Sequence, residues 1–286
     1  MVRLDLSNQG LAVLPPIPAD VTILVCYGNN LTFLPELPAG LTGLHCYNNQ
    51  LTRLPELPAG LITCACHDNR LTTLPDLPLT LENLWCGNNQ LTRLPDLTDQ
   101  LLSLHCNNNQ LTELPALPDE PTELHCYDNQ LTKLPDLPEE LHRFNFSNNK
   151  LTELPDLPYE LEYFNPDDNL LPPELYAILY EHIEEGEFQD FEQLAISVNH
   201  YNQEKRRRAN LRQAGRTYKA IRNAKINMPN NVLGVVGHYA TGKKPSYGLN
   251  QTLKNLKRNH NSYGPRRQRK TCRKKRKSNR RKTRRN

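Results

Sequence analysis

The chain has 286 residues, of which 37% are hydrophobic, 23% are charged and 23 are proline. Its formal net charge of +4 hides three blocks, since residues 1–170 carry −16, residues 171–204 carry −8 and residues 205–286 carry +28. No acidic residue follows Glu204, so the last block alone excludes a Mg²⁺-dependent phosphoryl transferase or a two-carboxylate glycosidase.

A period of twenty residues governs the sequence up to about residue 170. At this spacing Asn recurs from Asn29 to Asn169, Leu from Leu31 to Leu151, and Cys from Cys26 to Cys126. Such self-similarity is typical of a solenoid, in which each coil stacks on the next. We predict a partial unit at the N-terminus, seven full units beginning at Val21 and a terminal fragment from Leu161.

Each position within one unit has a structural role. Residues 41–46 alternate inward apolar and outward variable side chains, which predicts a short strand, and successive strands should form a parallel sheet. The amide of Asn49 can satisfy backbone groups of neighbouring coils where the chain turns. Pro55 and Pro58 fix φ and remove two donors, so we predict an extended or polyproline-like convex side.

The cysteines are predicted to be buried hydrophobes rather than ligands. Six of them occupy the inward strand position every twenty residues, and a reduced thiol packs as a small apolar group. The run Cys64-Ala65-Cys66-His67 is spaced like a ligand cluster, but both of its cysteines fall on inward positions. His105 and His125 lie one coil apart, with no third ligand apparent. We therefore predict no metal and no cofactor.

The outward strand positions are predicted to form a concave binding surface for a protein partner. These positions are rich in tyrosine, tryptophan and histidine, which are residues that anchor protein interfaces. Packing of the rings on one another along the stack is the alternative interpretation. The predicted partner-binding residues are Tyr27, His45, Tyr47, His67, Trp85, His105, His125 and Tyr127.

After the repeats, two helices are predicted to cap the open end of the stack in an acidic segment, residues 173–204. Pro166 replaces the strand cysteine, so pairing should stop there. Pro172-Pro173-Glu174 begins the first helix, and its apolar face is Leu175, Ile178, Leu179 and Ile183. Gly186 follows as a stop. The second helix uses Phe188, Phe191, Leu194, Ala195 and Val198.

The basic segment, residues 205–286, is predicted to begin with a helix that runs from Glu204 to about Lys225. Between Arg266 and Asn286, 14 of 21 residues are Lys or Arg, which indicates a disordered tail suited to nuclear targeting or polyanions. Residues 237–243 match GxxxxGK, but Lys244 stands where a phosphate loop needs Ser or Thr, so we predict a linker. The predicted nucleic-acid-binding residues are Arg206, Arg207, Arg208, Arg212, Arg266, Arg267, Lys274, Lys275, Arg276 and Lys277.

The repeated pattern LxxLxCxxNxLTxLPxLP resembles a leucine-rich repeat. The doubled Leu-Pro, as in residues 54–58, is similar to the short repeats of the bacterial type III effectors of the YopM and IpaH type, over residues 1–172. The IpaH type adds a ubiquitin-ligase domain built around Cys-x-Asp. Here Cys272 is followed by Arg273-Lys274, so the resemblance does not extend to the ligase. The basic tail resembles, in composition only, the tails of large DNA virus proteins.

These observations predict a non-enzymatic interaction protein with a leucine-rich-repeat solenoid fold and a basic tail. A nucleic-acid-binding protein that uses the repeats as a scaffold is the alternative, and a ubiquitin-ligase effector is the weaker one. The tail could also fold back onto the acidic repeats. Because residues 1–5 contain no apolar segment and no run of about 18 apolar residues occurs, we expect an intracellular location, cytoplasmic or nuclear.

Overall fold

A computed structural model describes residues 1–181, 183–184, 187–188 and 190–223. The chain divides into two units, Met1–Glu204 and Lys205–Asn286, and the first contains all of the repeats. No helix among the described residues is long and apolar enough to cross a bilayer.

Nine three-residue strands form one parallel sheet in which neighbours in sequence are neighbours in space. Each residue pairs with the residue twenty positions further along the chain, as Leu44 does with Leu24 on one side and Cys64 on the other. The predicted stack of a partial unit, seven full units and a terminal fragment is thereby confirmed. Strands β1–β9 are Arg3–Asp5, Ile23–Val25, Gly43–His45, Thr63–Ala65, Asn83–Trp85, Ser103–His105, Glu123–His125, Arg143–Asn145 and Tyr163–Asn165.

The core is a continuous column of inward leucines and cysteines. Seven cysteines, including both Cys64 and Cys66, are buried thiols without disulfides in the described part of the chain, as predicted. Toward the end of the stack larger rings replace them, since Phe146 occupies the cysteine position and packs 4.5 Å from Phe144 and 5.1 Å from Phe164 between ring centroids. The column therefore ends in a cluster of three phenylalanine rings.

A ladder of asparagine side chains joins each coil to the preceding one. Asn109 donates from Nδ2 to the carbonyls of Cys86 and Cys106, both at 3.1 Å, and its Oδ1 accepts the N–H of Leu91 at 2.9 Å. The same bonds recur at Asn49 and Asn129. Because the side chain replaces backbone partners that the turn removes, the repeated asparagine fixes the geometry of every turn.

The residue before each ladder asparagine adopts a left-handed backbone, with φ of 52° at Asn48 and 54° at Asp68. Asn and Asp tolerate this conformation best among non-glycine residues. Gly28 takes the same place with φ of 69°, and a Cβ there would lie 2.1 Å from Oδ1 of Asn8. The residue that precedes the ladder asparagine thus has a backbone role, which explains why it is Asn, Asp or Gly in these coils.

The return segments between strands contain no helix anywhere in residues 1–172, which the structure describes completely. The paired prolines and the short period account for this, as predicted. The sheet ends at β9, the last strand of its parallel order. Pro166 follows that strand, at the position where the earlier coils donate an N–H to the next coil. Because proline has no N–H, this position leaves no donor unpaired at the open edge of the sheet.

The helices that follow differ from the prediction in two respects. Helix α1 spans Pro173–Glu181 and buries Leu175 and Leu179, as expected, but Ile183 and Phe188 belong to two short antiparallel strands, β10 (Ile183–Glu184) and β11 (Glu187–Phe188). The predicted capping helix and basic helix are one helix, α2, at Phe191–Asn223. No proline or glycine interrupts residues 191–214, so nothing local ends the helix at the change of charge.

The first turns of α2 cover the open end of the stack. Leu194, Ala195 and Val198 are fully buried in the common core. Asn199 exchanges two hydrogen bonds with the backbone of Leu157, at 2.6 and 2.9 Å. Asn202 donates to the carbonyl of Leu154 at 3.2 Å. The predicted helical cap is confirmed, and its asparagines continue the role of the ladder that ends with the repeats.

Candidate functional site on the solvent face of the sheet

The solvent face of the sheet consists of the strand side chains that alternate with the inward leucines and cysteines. All eight predicted partner-binding residues are half-buried. His45, Trp85, His105 and His125 are the last residues of their strands, whereas Tyr27, Tyr47, His67 and Tyr127 lie two residues beyond a strand and extend the same face. Val25 and Ala65, which end strands β2 and β4 in the same column as His45 and Trp85, are 1% and 0% exposed. The exposed part of this surface is therefore made by the tyrosine, tryptophan and histidine rings, whereas Val25 and Ala65 lie buried beneath it.

An aromatic stack of Tyr27, Tyr47 and His67 occupies the N-terminal half of this face. The ring centroids of successive members are 4.4 Å apart, with interplanar angles of 7° and 13°. Nδ1 of His67 lies 2.6 Å from Oδ2 of Asp68. Burial, and next the neighbouring Tyr27, raise the pKa of the Tyr47 phenol. The rings do pack on one another, and each still offers an edge to solvent.

A second set of rings lies further along the stack and includes Trp85, His105, His125 and Tyr127. Centroids are 6.1 Å apart for Trp85 and His105, 4.5 Å for the two histidines and 6.4 Å for His125 and Tyr127. The indole N–H donates to Oγ of Ser103 at 3.3 Å. Strand pairing opposes Trp85 to His105 and His105 to His125, so the register of the coils positions these side chains.

Glu123 joins the two histidines into what we call the histidine–glutamate cluster (His105, Glu123 and His125). Its Oε1 lies 3.0 Å from Nε2 of His125, and its Oε2 lies 3.4 Å from Nε2 of His105. Nε of Arg143 is 3.4 Å from Oε1. The carboxylate thus has a cationic or imidazole neighbour on three sides.

The pKa values of Glu123 and His125 are both lowered within this cluster. Burial alone would raise the pKa of Glu123, but the two histidines, His105 foremost, bring it below its ordinary value. Burial and then the neighbouring His105 lower the pKa of His125. The carboxylate is therefore ionised and the imidazole of His125 is neutral at neutral pH.

Sequence reasoning missed Glu123 because it selected the outward positions that carry rings and left out the first residue of each strand. Position 123 opens strand β7, two residues before His125, and residues two apart on a strand share a face. Period-two alternation applied to the whole strand would have found it. The same column holds Ser103 and Arg143, which complete the polar surroundings of the cluster.

The described residues offer no cysteine nucleophile to these histidines. Burial raises the pKa of the Cys26 thiol to about 12 and that of the Cys86 thiol well above its ordinary value. A protonated interior thiol is neither a nucleophile nor a ready metal ligand. Among the described residues, the solvent face therefore presents histidines without a cysteine partner for nucleophilic chemistry.

A groove of about 590 Å³ opens between the return segments of two successive coils, at a break in the repeat. Leu79, which is 80% exposed, stands where earlier units have alanine, and Thr98 replaces a proline. Oγ1 of Thr98 donates to the carbonyl of Leu81 at 3.0 Å. Its lining combines Thr73, Asp76, Arg93 and Asp96 with leucines and contains no aromatic ring or histidine. We therefore place it after the solvent face as a candidate site for a protein partner.

The predicted nucleic-acid-binding residues fall in two groups. Arg206, Arg207, Arg208 and Arg212 lie on α2 and are exposed. The others, from Arg266 to Lys277, lie outside the described residues, as do Cys272 and the GxxxxGK segment 237–243.

Solved structures similar to this chain are leucine-rich-repeat proteins. YopM from Yersinia enterocolitica WA-314 is 37% identical, with a TM-score of 0.58, over 59% of this chain and 38% of that chain. A Shigella effector leucine-rich-repeat domain is 29% identical, with a TM-score of 0.48, over 64% and 76%. The leucine-rich-repeat domain of APL1B is 22% identical, with a TM-score of 0.50, over 59% and 55%. No protein-family model and no curated protein matches the chain.

The chain spans 38% of the YopM chain that it matches. The YopM and APL1B structures and the parallel sheet of this chain agree on a leucine-rich-repeat solenoid, so the sequence-based fold prediction is confirmed. Neither these comparisons nor the described residues indicate a ubiquitin-ligase domain.

Proposed function

On the premise that residues 1–172 form a leucine-rich-repeat solenoid, we propose that the solvent face of its sheet is concave and binds a protein partner. The similarity to leucine-rich-repeat structures supports a protein-interaction scaffold. The choice of this face over the return segments is our own inference, and it follows from the side chains.

The contrast between the two faces of the strands carries this proposal. The inward positions repeat leucine and cysteine, whereas the solvent face carries half-buried tyrosine, tryptophan and histidine rings in mutual contact. Aromatic anchors dominate interface energetics. Rings that are already packed lose little rotamer freedom on binding, which lowers the entropic cost of association.

The charge of the repeats indicates the kind of partner. Residues 1–170 carry a net charge of −16, and a field of that sign speeds the encounter with basic surfaces and disfavours acidic ones. The partner that we propose is therefore a protein with a basic surface and an apolar or aromatic patch for Trp85 and the aromatic stack.

The test begins with crosslinking in host cells to identify a partner, followed by direct affinity measurement with that purified partner. Trp85→Ala and Tyr47→Ala should each weaken binding by about 30-fold, which corresponds to about 2 kcal/mol for an anchor. The matched control is Leu79→Ala, which removes an exposed apolar side chain from a return segment. Unchanged affinity in both ring variants would contradict the proposal.

We also propose that the basic segment binds nucleic acid without sequence preference or directs the chain to the nucleus. Its support is the +28 charge of residues 205–286 and the exposed arginines of α2. Neutralising 6–10 phosphates makes affinity fall about 10³–10⁵-fold between 50 and 200 mM salt. The full chain should show that dependence on a labelled oligonucleotide, and a chain ending at Glu204 should not bind.

Two further measurements separate the roles of the tail. If it folds back on the acidic repeats, residues 205–286 alone should bind the oligonucleotide more tightly than the full chain, whereas equal affinities at low salt would remove that idea. A fluorescent fusion with and without residues 205–286 tests nuclear targeting. A flat salt response would leave targeting or solubility as the role of the tail.

A further inference from the structure

We propose that His105, Glu123 and His125 bind one divalent transition-metal ion, and that Zn²⁺ is the ion that fits this site best. One ligand atom from each residue lies within 4.8 Å of the others. The sequence analysis predicted no metal because two histidines alone make a poor site, and Glu123 supplies the third ligand that it lacked.

The distances suit a tetrahedral centre. Bonds of about 2.0–2.1 Å place neighbouring ligand atoms about 3.3 Å apart at the tetrahedral angle. The distances from the Glu123 carboxylate to the two Nε2 atoms are 3.0 and 3.4 Å. These two distances involve different oxygens of the carboxylate, and all three ligand atoms lie within 4.8 Å of one another. An ion can therefore enter between them if the side chains close by about 1.5 Å or less relative to the tetrahedral spacing.

The backbone positions the three ligands before any ion arrives. Glu123 and His125 are the ends of strand β7, and His105 pairs directly with His125 across the parallel ladder. Ligands on adjacent strands are held more rigidly than ligands on loops. The stack of coils on both sides of β6 and β7 resists changes in their spacing.

One of the three proposed ligand atoms, Nε2 of His105, has no good hydrogen-bond partner in the described part of the chain when no metal is bound. Nε2 of His105 is enclosed, and among the described residues it has no hydrogen-bond partner. The Glu123 oxygen at 3.4 Å forms only a loose contact with it. A buried polar atom without a partner destabilises the fold, and coordination would satisfy it.

The donor set selects the class of ion. Two imidazoles and one carboxylate suit Zn²⁺ and other late first-row ions, whereas Mg²⁺ and Ca²⁺ require mostly oxygen ligands. Three protein ligands leave a fourth position for water or for a donor from a bound protein. The side chains of His105 and Glu123 are 32% and 29% exposed, so the cluster borders solvent, and a small turn of the His105 ring would open its enclosed Nε2 to an entering ion.

Arg143 provides an internal competitor and hence a sharp test. Its guanidinium shares the Glu123 carboxylate and lies 5.5 Å from the ring centroid of Tyr163. Its side chain is 52% exposed, so it can turn outward when an ion binds. If the cluster is a metal site, removing this charge should strengthen binding. If the cluster is only an ion-pair network, the same change should have no effect on metal affinity.

The experiment titrates the full-length chain, in a Cys272→Ser background, with Zn²⁺ against a chromophoric chelator at pH 7.5. We expect one ion per chain. His105→Ala and Glu123→Gln should each weaken binding by at least about 100-fold, beyond the range found for indirect partners of a metal ligand. Arg143→Gln should strengthen it. The matched control is His45→Ala, which removes a half-buried histidine from the same column.

Two readouts protect this test against misfolding and against binding by thiols. Thermal unfolding identifies any variant that has lost its fold, and Glu123→Gln keeps the shape of the side chain. Co²⁺ should give visible absorption of a tetrahedral nitrogen–oxygen site without a thiolate charge-transfer band. Absence of stoichiometric binding, or equal affinity in His45→Ala and folded Glu123→Gln, would overturn the proposal, as would a thiolate band.

Discussion

The two faces of the same nine strands differ in how closely they follow the repeat. The inward face presents the same leucine, cysteine and asparagine in almost every coil, whereas the solvent face changes from tyrosine to tryptophan, histidine and glutamate along the stack. Each coil offers its inward side chains the same environment between two identical neighbours. The solvent face is not covered by another layer of this chain among the repeats, so packing of the core does not restrict which residue types occupy it.

This difference separates residues that stabilise the solenoid from residues available for binding. A substitution on the inward face should lower the free energy of unfolding and affect partner binding only through that loss. A substitution on the solvent face should weaken partner binding and change the free energy of unfolding little. Four experiments test that separation, in order of expected effect on the free energy of unfolding.

The largest effect is expected for Asn109→Ala. It removes hydrogen bonds to the Cys86 carbonyl and the Leu91 N–H, and each unsatisfied buried group costs about 1–3 kcal/mol. Urea unfolding should show a loss of about 3 kcal/mol or more. The exposed neighbour Gln110→Ala is the control, and equal losses in the two variants would contradict the structural role of the ladder.

A smaller loss is expected at the cysteine column. Cys86→Ser places a hydroxyl in an apolar stack, which costs about 1–3 kcal/mol when the group is unmet. Cys86→Ala introduces no polar atom and should cost less. Calorimetry of the two variants decides the order, and a more stable serine variant would show that the column is not apolar.

The solvent face should tolerate truncation better. Tyr47→Ala removes the central ring of the aromatic stack, and a stacked pair contributes about 0.5–1.5 kcal/mol beyond its buried area. We expect a loss near 1 kcal/mol, well below that of Asn109→Ala. A loss as large as that of the ladder variant would mean that the stack is part of the core rather than a surface available to a partner.

The smallest effect concerns pH. Burial, and then the charge of Arg3, lower the pKa of His45. A lowered histidine pKa means that the unfolded chain binds the proton more readily than the folded chain does. The contribution of His45 to the free energy of unfolding is therefore complete above the ordinary pKa of about 6.5 and is lost as the pH falls through the lower pKa of the folded state.

Replacing His45 by glutamine should therefore flatten the rise of unfolding free energy between about pH 5 and 7, measured by urea titration with a chelator present. His200→Gln, at an exposed position on α2, serves as the control. Identical slopes in the wild type and in His45→Gln would contradict the assigned shift.

Much of the molecule could be predicted because the repeat makes local and global requirements coincide. The strand period, the inward cysteines and the role of Asn49 all follow from one coil copied along the chain. The region after the repeats was harder, since apolar spacing alone assigned Ile183 and Phe188 to helices, whereas they lie in the short strands β10 and β11. A two-residue strand leaves no periodic signal.

The sequence by itself therefore determined the solenoid, its parallel sheet, its buried thiols and its helical cap, because a twenty-residue repeat can bury its apolar side only by stacking. The tertiary structure decided which outward side chains meet. Glu123 lies eighteen residues from His105 in the sequence, and only the one-coil register of β6 and β7 brings their side chains within 3.4 Å. The aromatic stack likewise depends on contacts between successive coils, which no single repeat contains.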